Sequence, residues 1–471
     1  MNDNITPPAH PSLWASRLPT IAAFAFVAAL LLLVVGCQSA ADGVALLTGT
    51  DARAGGQVEF VTAATPQAAV IAPQTAAATS AGYVPAAFGS PLDPTATPTP
   101  SPTPTTTLGP PLPPPTVVVA VPPINFDAAH EAAETKGLAL AFTKIGFHTG
   151  PGGNAQGIGD YFRKLNTAGV PIFLKSADAA GPLYEVQQLM KANETTGRFV
   201  DHTLVFRLTD ARYEAPFYNR ALSAEEAAAV SWQINRDAIP RELDKKVVWF
   251  ETLNEPGRYG DDGQLQVERL GRFSLATAKL AVAEGYRYAA LSWSTGVPEP
   301  EDWEHPAMLE FLRYAGEHPD EVAVALHEYS LVNADIARAY PYLVGRFQAL
   351  FEVCDKYGIP RPTVLITEWG WEYDSVPEPG VAMEHIAWAA WLYAAYPEVK
   401  GAAIWYLGPQ FGGIANKAQR LIAPLTDYAL SHYFVYTPGR GRIDAALFRP
   451  PWQMLLASPD AAPTPFPRPH H

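Results

Sequence analysis

The sequence predicts an α/β fold in which residues 124–449 form a single (β/α)8 TIM barrel. Eight short apolar runs alternate there with longer amphipathic stretches, which is the pattern of repeated strand and helix units around a parallel sheet. After the first run, residues 150–153 read Gly-Pro-Gly-Gly and contain neither a Gly-x-Gly-x-x-Gly turn nor a P-loop. This absence favours a closed barrel over an open, doubly wound nucleotide-binding sheet.

The predicted strands are largely apolar, as expected for strands that are covered on both faces. In chain order they are 140–147, 171–175, 202–208, 246–253, 288–292, 322–327, 363–366 and 401–405. Helices are predicted where apolar residues recur every three or four positions, at 221–236, 265–284, 307–316, 335–356 and 382–396. Ser223 with Glu226 forms a candidate capping box, and Gly285 and Gly358 mark predicted helix ends.

The segments that flank the barrel have a different composition. Residues 37–123 are rich in Ala, Thr, Pro and Ser, and such a segment cannot bury a core, so it is predicted to be a disordered linker. Its prolines favour extended polyproline II, which would make it a stalk. Residues 450–471 are predicted to be a disordered Pro-rich tail.

Residues 1–36 have the pattern of a bacterial lipoprotein signal peptide. A polar start is followed by an apolar run at 21–35, which is short for a bilayer-spanning helix. Val34-Val35-Gly36-Cys37 then resembles the lipobox, in which the cysteine becomes the acylated N-terminus. The resemblance implies that Cys37 is a lipid anchor and that the protein is held at the membrane outside the cytoplasm. A plain signal peptide or an uncleaved membrane anchor is the alternative.

Charge and cysteine content exclude several kinds of partner. The net charge of −14 leaves no basic face, so a nucleic-acid partner is disfavoured and a neutral substrate is favoured. Neither of the two cysteines has a neighbour at metal-ligand or redox-motif spacing. A metal site and a disulfide framework are therefore not expected.

Polar residues at strand ends indicate where the active site lies, because barrel enzymes build their sites from the C-terminal ends of strands. The fourth predicted strand runs into Asn254-Glu255-Pro256, and the seventh into Thr367-Glu368-Trp369-Gly370. Two nearby glutamates compete for a catalytic role. Glu251 precedes Glu255 by four residues and should lie deeper on the same strand face. Glu328 follows His327, but no second histidine stands at metalloprotease spacing, so zinc is not supported.

Asn-Glu-Pro after the fourth strand and Thr-Glu-Trp-Gly after the seventh resemble the clan A retaining glycoside hydrolases, which include cellulases, mannanases and xylosidases. The resemblance covers residues 137–408 and implies double-displacement cleavage of a β-linked polysaccharide or oligosaccharide, with no metal or organic cofactor. Glu255 would be the acid and then the base, and Glu368 the nucleophile. The acid should keep its proton near neutral pH because a second carboxylate is close.

The same resemblance assigns supporting roles to residues at other strand ends, each of which also has an ordinary explanation. Asn254 would hydrogen-bond the sugar 2-hydroxyl, or cap the turn before Pro256. His327 would line the sugar site and Tyr329 contact the nucleophile, or His327 is a core histidine. Trp405 would be a sugar-stacking platform, or plain core. Arg207 would support the nucleophile, or be solvated. Weaker candidates for the cleft are His148, Trp293, Trp369, Trp371 and Tyr373.

Two other functions remain open at this level. A cell-surface carbohydrate-binding protein on a decayed hydrolase barrel would use the same fold without turnover, because a fold does not guarantee an activity. An envelope scaffold would lack an open cleft at the barrel top. The presence of both glutamates favours the enzyme.

Overall fold

The computed structural model describes residues 111–260, 263–331, 336–372 and 374–443. The predicted signal peptide, Cys37, Tyr373, the tail 450–471 and most of the predicted linker lie outside these residues. None of the helices in the described ranges combines the length and the apolar composition that crossing a bilayer requires.

The core of the fold is a closed barrel of eight parallel strands, as the sequence predicts. The strands are β3 Ile145–Thr149, β4 Phe173–Ala177, β5 Thr203–Arg207, β6 Val248–Glu251, β7 Arg287–Trp293, β8 Val322–Tyr329, β9 Thr363–Gly370 and β10 Val399–Ile404. The last strand pairs with the first, with Ala402 opposite Ile145, and this pairing closes the barrel. Consecutive strands are neighbours throughout, so their C-terminal ends form one rim.

Side chains that point into the barrel form a small apolar layer of their own. This layer takes residues from seven strands, β4 to β10, and most of them are small, as the narrow barrel interior requires. Its members are Phe173, Val205, Trp249, Ala289, Ala323, Ala325, Leu365 and Ala403. A much larger apolar cluster fills the space between the strands and the surrounding helices.

The helices alternate with the strands and cover the barrel. They are α1 Phe126–Glu134, α2 Ile158–Ala168, α3 Ala180–Thr195, α4 Ala215–Tyr218, α5 Ala224–Ala238, α6 Val267–Ala283, α7 Pro300–Trp303, α8 Pro306–Glu317, α9 Phe347–Lys356, α10 Pro379–Ala394, α11 Ile414–Gln419 and α12 Ile422–Ser431. The capping box of Ser223 and Glu226 at the start of α5 is confirmed. Gly285 and Gly358 have positive φ angles just beyond α6 and α9, as expected of helix ends.

The predicted helix 335–356 is too long, because α9 begins only at Phe347. Pro341 and Gly345 explain the difference. A proline lacks the N–H that a helix interior needs, and Gly345 has a φ of +84°, outside the helical region. A short 3-10 helix, Ile336–Ala339, precedes this break.

A second, antiparallel sheet of three strands was not predicted. It consists of β1 Thr116–Val119, β11 His432–Tyr436 and β2 Ala139–Ala141, with β11 in the middle. The predicted first strand 140–147 is therefore two strands, β2 in this sheet and β3 in the barrel. Strand β1 falls inside the segment assigned to the linker. Its Val118 is fully buried against Tyr433, so a short β-branched run is enough to fold there.

Candidate active site

A cavity of about 590 Å³ opens at the C-terminal rim of the barrel strands. Seven of the predicted site residues line it: His148, Arg207, Asn254, Glu255, Tyr329, Glu368 and Trp405. His327 lies directly beneath, in contact with both glutamates. Of the predicted set, Trp369 is not brought to the cavity, and neither are the weaker candidates Trp293 and Trp371. The Trp369 ring is completely buried against Trp371, because neighbouring strand residues point to opposite sides and Glu368 takes the inward one.

Glu255 and Glu368 face each other across this cavity with His327 between them. His327 Nδ1 shares a hydrogen bond of 2.8 Å with Glu255 Oε1 and lies 3.4 Å from Glu368 Oε2. One oxygen of each carboxylate and one ring nitrogen of His327 all lie within 4.8 Å of one another. The Tyr329 hydroxyl donates a hydrogen bond of 2.8 Å to Glu368 Oε2. Two strand ends 113 positions apart in sequence thus form one compact group.

The backbone at Glu255 is held in an unusual conformation. Its φ is +47°, in the left-handed region that residues with a Cβ atom rarely adopt, and its N–H donates to the Ser292 carbonyl at 2.9 Å. Within the described ranges seven residues other than glycine have positive φ: Asp178, Glu255, Leu291, Ser292, Leu331, Gln410 and Phe411. Five of them line the cavity. The other two are Ser292, whose carbonyl accepts the Glu255 N–H, and Leu291, which precedes it. Such backbone strain concentrates at functional sites.

His327 reverses the protonation that the sequence analysis expected for Glu255. Burial raises the pKa of Glu255, but the hydrogen bond and charge of His327, together with Arg207 and Lys175, outweigh burial and bring that pKa below its usual value. The lowered pKa favours the ionised form of the Glu255 carboxyl at neutral pH. The distance between Glu255 and His327 is a tertiary feature that the strand pattern alone does not give.

Below the carboxylates lies a buried set of charges, of which sequence reasoning missed Lys175. Lys175 Nζ is 2.8 Å from Glu251 Oε2 and 3.5 Å from Glu368 Oε1, and its side chain is completely buried. Arg207 lies 3.8 Å from Glu368 and 3.9 Å from Glu251. The sequence signal that could have indicated this group was Lys175 itself, a lysine in a mostly apolar predicted strand. Lysine is almost never fully buried unless it is paired with an opposite charge.

One wall of the cavity is aromatic. The rings of Trp405 and Tyr406 stack at 4.1 Å with an angle of 18° between their planes, and Phe411 meets both rings edge-on. His148 packs edge-on against the same pair. Burial, with the charges of Lys175 and Arg207, lowers the pKa of His148 well below its usual value, so this ring is neutral. Neither of its nitrogens has a hydrogen-bond partner among the described residues.

Another part of the cavity lining carries carboxylates. Asp178, which follows β4, accepts hydrogen bonds from the backbone N–H and the hydroxyl of Thr209. Glu214 lies 3.7 Å from Arg207 Nη1, and burial raises the pKa of Glu214, although Arg207 opposes the change. Asn254 completes this side, and its Oδ1 is buried without a partner in the described structure. The cavity therefore has a flat apolar face and a face of hydrogen-bond acceptors.

The carboxylate and imidazole atoms of Glu255, His327 and Glu368 are close enough together to hold a metal ion. Two observations oppose this use. Lys175 and Arg207 already place positive charge within 4 Å of Glu368, and His327 Nδ1 is engaged with Glu255. A divalent cation would add charge to a group that is already compensated.

Comparison with known proteins yields structural likeness only. No protein-family profile and no curated protein sequence matches the chain. A trimodular GH5_4 endoglucanase aligns at 12% identity and a TM-score of 0.34, over 60% of this chain and 57% of that one. The endo-β-1,4-glucanase B of Bacillus halodurans aligns at 10% and 0.32, over 56% and 55%. The chain thus spans little more than half the length of these two structures.

A GH5 xyloglucanase of Bacteroides ovatus, solved with a bound heptasaccharide, aligns at 12% identity and a TM-score of 0.32, over 64% of this chain and 76% of that one. The barrel of the present chain is defined by its own strand pairings, which close all eight strands into one parallel sheet.

Proposed function

We propose that this protein is a retaining glycoside hydrolase that cleaves O-glycosidic bonds in a β-linked polysaccharide or oligosaccharide. The observation that carries the proposal is that one carboxylate oxygen of Glu255 and one of Glu368 lie within 4.8 Å of each other in an open cavity. Retaining enzymes need carboxyl groups about 5 Å apart, whereas inverting enzymes need about 6.5–9.5 Å to admit a water molecule.

In the proposed reaction Glu368 attacks the anomeric carbon and forms a covalent glycosyl-enzyme as the bond to the leaving oxygen breaks. The Tyr329 hydrogen bond and the contacts with Lys175 and Arg207 orient Glu368 for this attack. Glu255 donates a proton to the leaving oxygen, then removes one from the water that attacks the intermediate and regenerates Glu368.

Glu255 must carry a proton when it acts as the acid, although His327, Arg207 and Lys175 lower its pKa. A sugar bound in the cavity removes water from Glu255, and desolvation favours the neutral acid. We therefore expect Glu255 to take up a proton as the sugar binds, while its hydrogen bond with His327 orients the carboxyl group.

The two walls suit a sugar ring. The C–H face of a pyranose packs on Trp405, while hydroxyl groups on the other side donate to Asp178, Glu214 and Asn254. The unpartnered Asn254 Oδ1 and His148 nitrogens are ready acceptors or donors for such hydroxyls. A neutral, hydroxyl-rich ligand would therefore satisfy polar groups that are otherwise buried without partners.

We further propose that the barrel acts outside the cytoplasm and is tethered by Cys37 through the linker. A stalk would give a membrane-anchored enzyme access to an insoluble or cell-wall glycan. Replacing Cys37 with Ala should release the protein from the membrane fraction, and metabolic labelling with a fatty acid should be lost in the same variant. Unchanged membrane association and labelling would contradict the anchor.

Hydrolysis is tested on aryl β-glycosides and on β-glucan, xylan and mannan, with the wild-type protein and Glu368→Ala, Glu255→Ala and Glu317→Ala. Glu317 is an exposed glutamate outside the cavity and serves as the matched control. Turnover of the polysaccharides, whose leaving groups are poor, that is lost in the first two variants and kept in the third supports the enzyme. The anomer released first, read by NMR, should have the configuration of the substrate.

Turnover on none of these substrates, with sugar binding retained, would favour the decayed barrel that only binds carbohydrate. Release of the inverted anomer would contradict the covalent mechanism while leaving glycoside hydrolysis in place.

A further inference from the structure

A chain of contacts beneath the cavity connects the supports of the two catalytic carboxylates. Its centre is Glu251, the last residue of β6, whose side chain is completely buried and does not line the cavity. Burial raises the pKa of Glu251, but the charges of Lys175 and Arg207 outweigh burial, and the group stays ionised. A buried carboxylate costs several kcal/mol unless it is paired, so its partners define what it does.

On one side, Glu251 connects to Glu368 through cations. Its Oε2 is 2.8 Å from Lys175 Nζ, and the same Nζ is 3.5 Å from Glu368 Oε1. Arg207 repeats the arrangement at 3.9 Å and 3.8 Å. Both cations that face Glu368 Oε1 are therefore also held by Glu251 Oε2, so moving Glu251 would displace both of them.

On the other side, Glu251 connects to Glu255 through Ser292. The Ser292 hydroxyl donates to Glu251 Oε1 at 2.9 Å, and the Ser292 carbonyl accepts the Glu255 N–H at 2.9 Å. Ser292 has a φ of +45° and Glu255 a φ of +47°. These hydrogen bonds hold two residues in a backbone region that they would not adopt unaided.

We infer that Glu251 is a positioning residue that sets the separation of Glu255 and Glu368, acting through Ser292 on the acid and through Lys175 on the nucleophile. The inference rests on the proposed function and adds to it how the spacing is maintained. Each oxygen of Glu251 serves one catalytic residue. The floor of the site is thus one connected unit, and a displacement on the order of 1 Å can cost about 100-fold in rate.

A purely structural ion pair makes a different prediction. A buried pair that only fills space can be exchanged for apolar side chains of similar volume with little loss, whereas removing one partner alone leaves an uncompensated charge and costs about 3–5 kcal/mol. Comparing Lys175→Met, Glu251→Gln and the double variant Lys175→Met with Glu251→Met separates stability from positioning. The matched control is the largely buried ion pair of Arg361 and Asp355. It lies before Thr363, the first residue of β9, at the end of the strand away from Glu368.

The readout is the rate at which a 2-deoxy-2-fluoro aryl glycoside labels Glu368, followed by intact mass and peptide mapping, beside the free energy of unfolding. Both single variants should be less stable than wild type, and the double variant should regain most of that stability. Labelling should be slower on the order of 100-fold in all three. The control Arg361→Met with Asp355→Met should label at the wild-type rate.

The Ser292 side is tested with Ser292→Ala, which should slow the hydrolysis of glycosides with poor leaving groups and leave the labelling of Glu368 by an activated glycoside nearly unchanged. A double variant at Lys175 and Glu251 that labels at the wild-type rate would overturn the inference but leave the hydrolase in place. If Ser292→Ala slows the hydrolysis of glycosides with good and with poor leaving groups equally, the proposed action of Glu251 on Glu255 through Ser292 is wrong. A wild-type protein that is neither labelled nor active would overturn the proposed function and, with it, the positioning role.

Discussion

The Tyr329 hydroxyl donates its hydrogen bond to Glu368 Oε2 at 2.8 Å, from the strand next to the one that carries Glu368. Burial, together with the charge of Glu368, raises the pKa of Tyr329 well above its usual value. The hydroxyl therefore keeps its proton at neutral pH and acts as a donor to Glu368.

Replacing Tyr329 with Phe should lower kcat/KM about 10- to 100-fold, because a hydrogen bond to a charged group contributes about 1.5–3 kcal/mol. The apolar part of the ring remains, so the midpoint of unfolding should change little. Tyr357→Phe is the matched control, since the Tyr357 hydroxyl donates to Glu304 at 2.9 Å away from the cavity. Equal activity of the two variants would contradict the role of Tyr329.

His327→Gln should slow the hydrolysis of glycosides with poor leaving groups much more than that of activated aryl glycosides. A leaving oxygen of low basicity departs without a proton, so loss of the hydrogen bond by which His327 orients Glu255, the proposed acid, matters in proportion to leaving-group basicity. The measurement is kcat/KM across a series of substituted aryl glycosides. Glu255→Gln should give the same steep dependence. A uniform decrease across the series would show that His327 acts on both carboxylates or on binding alone.

The cavity should discriminate against anionic sugars. Asp178, Glu214, Glu255 and Glu368 line it, and among the described residues Arg207 is the one Lys or Arg in the lining. A neutral glycoside should be hydrolysed faster than its C6-carboxylate counterpart, on the order of 100-fold at low ionic strength, because one carboxylate about 5 Å from another costs about 3 kcal/mol at an effective dielectric of 20. Added salt should reduce the ratio of the two rates, because it screens the repulsion between the carboxylates.

Glu214→Gln should reduce this discrimination without abolishing hydrolysis, whereas Glu317→Gln should leave the ratio unchanged. Because burial raises the pKa of Glu214, the wild-type ratio should also narrow as the pH falls. A C6-carboxylate substrate that is preferred by the wild-type protein would contradict this account of the cavity charge.

The barrel and the pairing of Glu255 with Glu368 could be predicted from sequence because both follow from periodicity. Eight apolar runs separated by helices close into one sheet, and closure brings all strand ends to one rim, whatever their separation along the chain. The inward direction of Glu368 and the outward direction of Trp369 follow from the same alternation, which could have removed Trp369 from the predicted site.

Other features depend on distances that no pattern encodes. The lowered pKa of Glu255 results from the 2.8 Å contact with His327, and the role of Lys175 results from its position between two carboxylates. Strand β1 was missed because the four residues Thr116–Val119 follow a proline-rich stretch and fold only by pairing with β11, more than 300 positions later. Pairing across such a separation leaves no local trace.

A prediction about stability concerns a buried histidine, His202, at the end of the strands away from the cavity. His202 Nδ1 accepts the N–H of Ile172 at 3.0 Å, and Nε2 shares a hydrogen bond of 2.9 Å with Asn166 Oδ1, so the ring is held neutral with its proton on Nε2. Burial, aided by the charge of Arg198, lowers the pKa of His202 from its usual 6.5 to about 4. In the unfolded chain the ring takes up a proton below about pH 6.5, whereas in the folded protein it does so only below about pH 4.

Between those pH values the unfolded state binds more protons, so the free energy of unfolding should fall as the pH decreases from about 6.5 to 4, by on the order of 3 kcal/mol from His202. His202→Asn keeps an acceptor for the Ile172 N–H but cannot be protonated. Denaturant unfolding at several pH values should therefore find the variant less stable than wild type at pH 7.5 and less sensitive to acid. From pH 7 to 8, where the ring is neutral in both states, the two curves should run parallel. A variant that retains the full wild-type slope between pH 4.5 and 6.5 would assign the acid sensitivity to other groups.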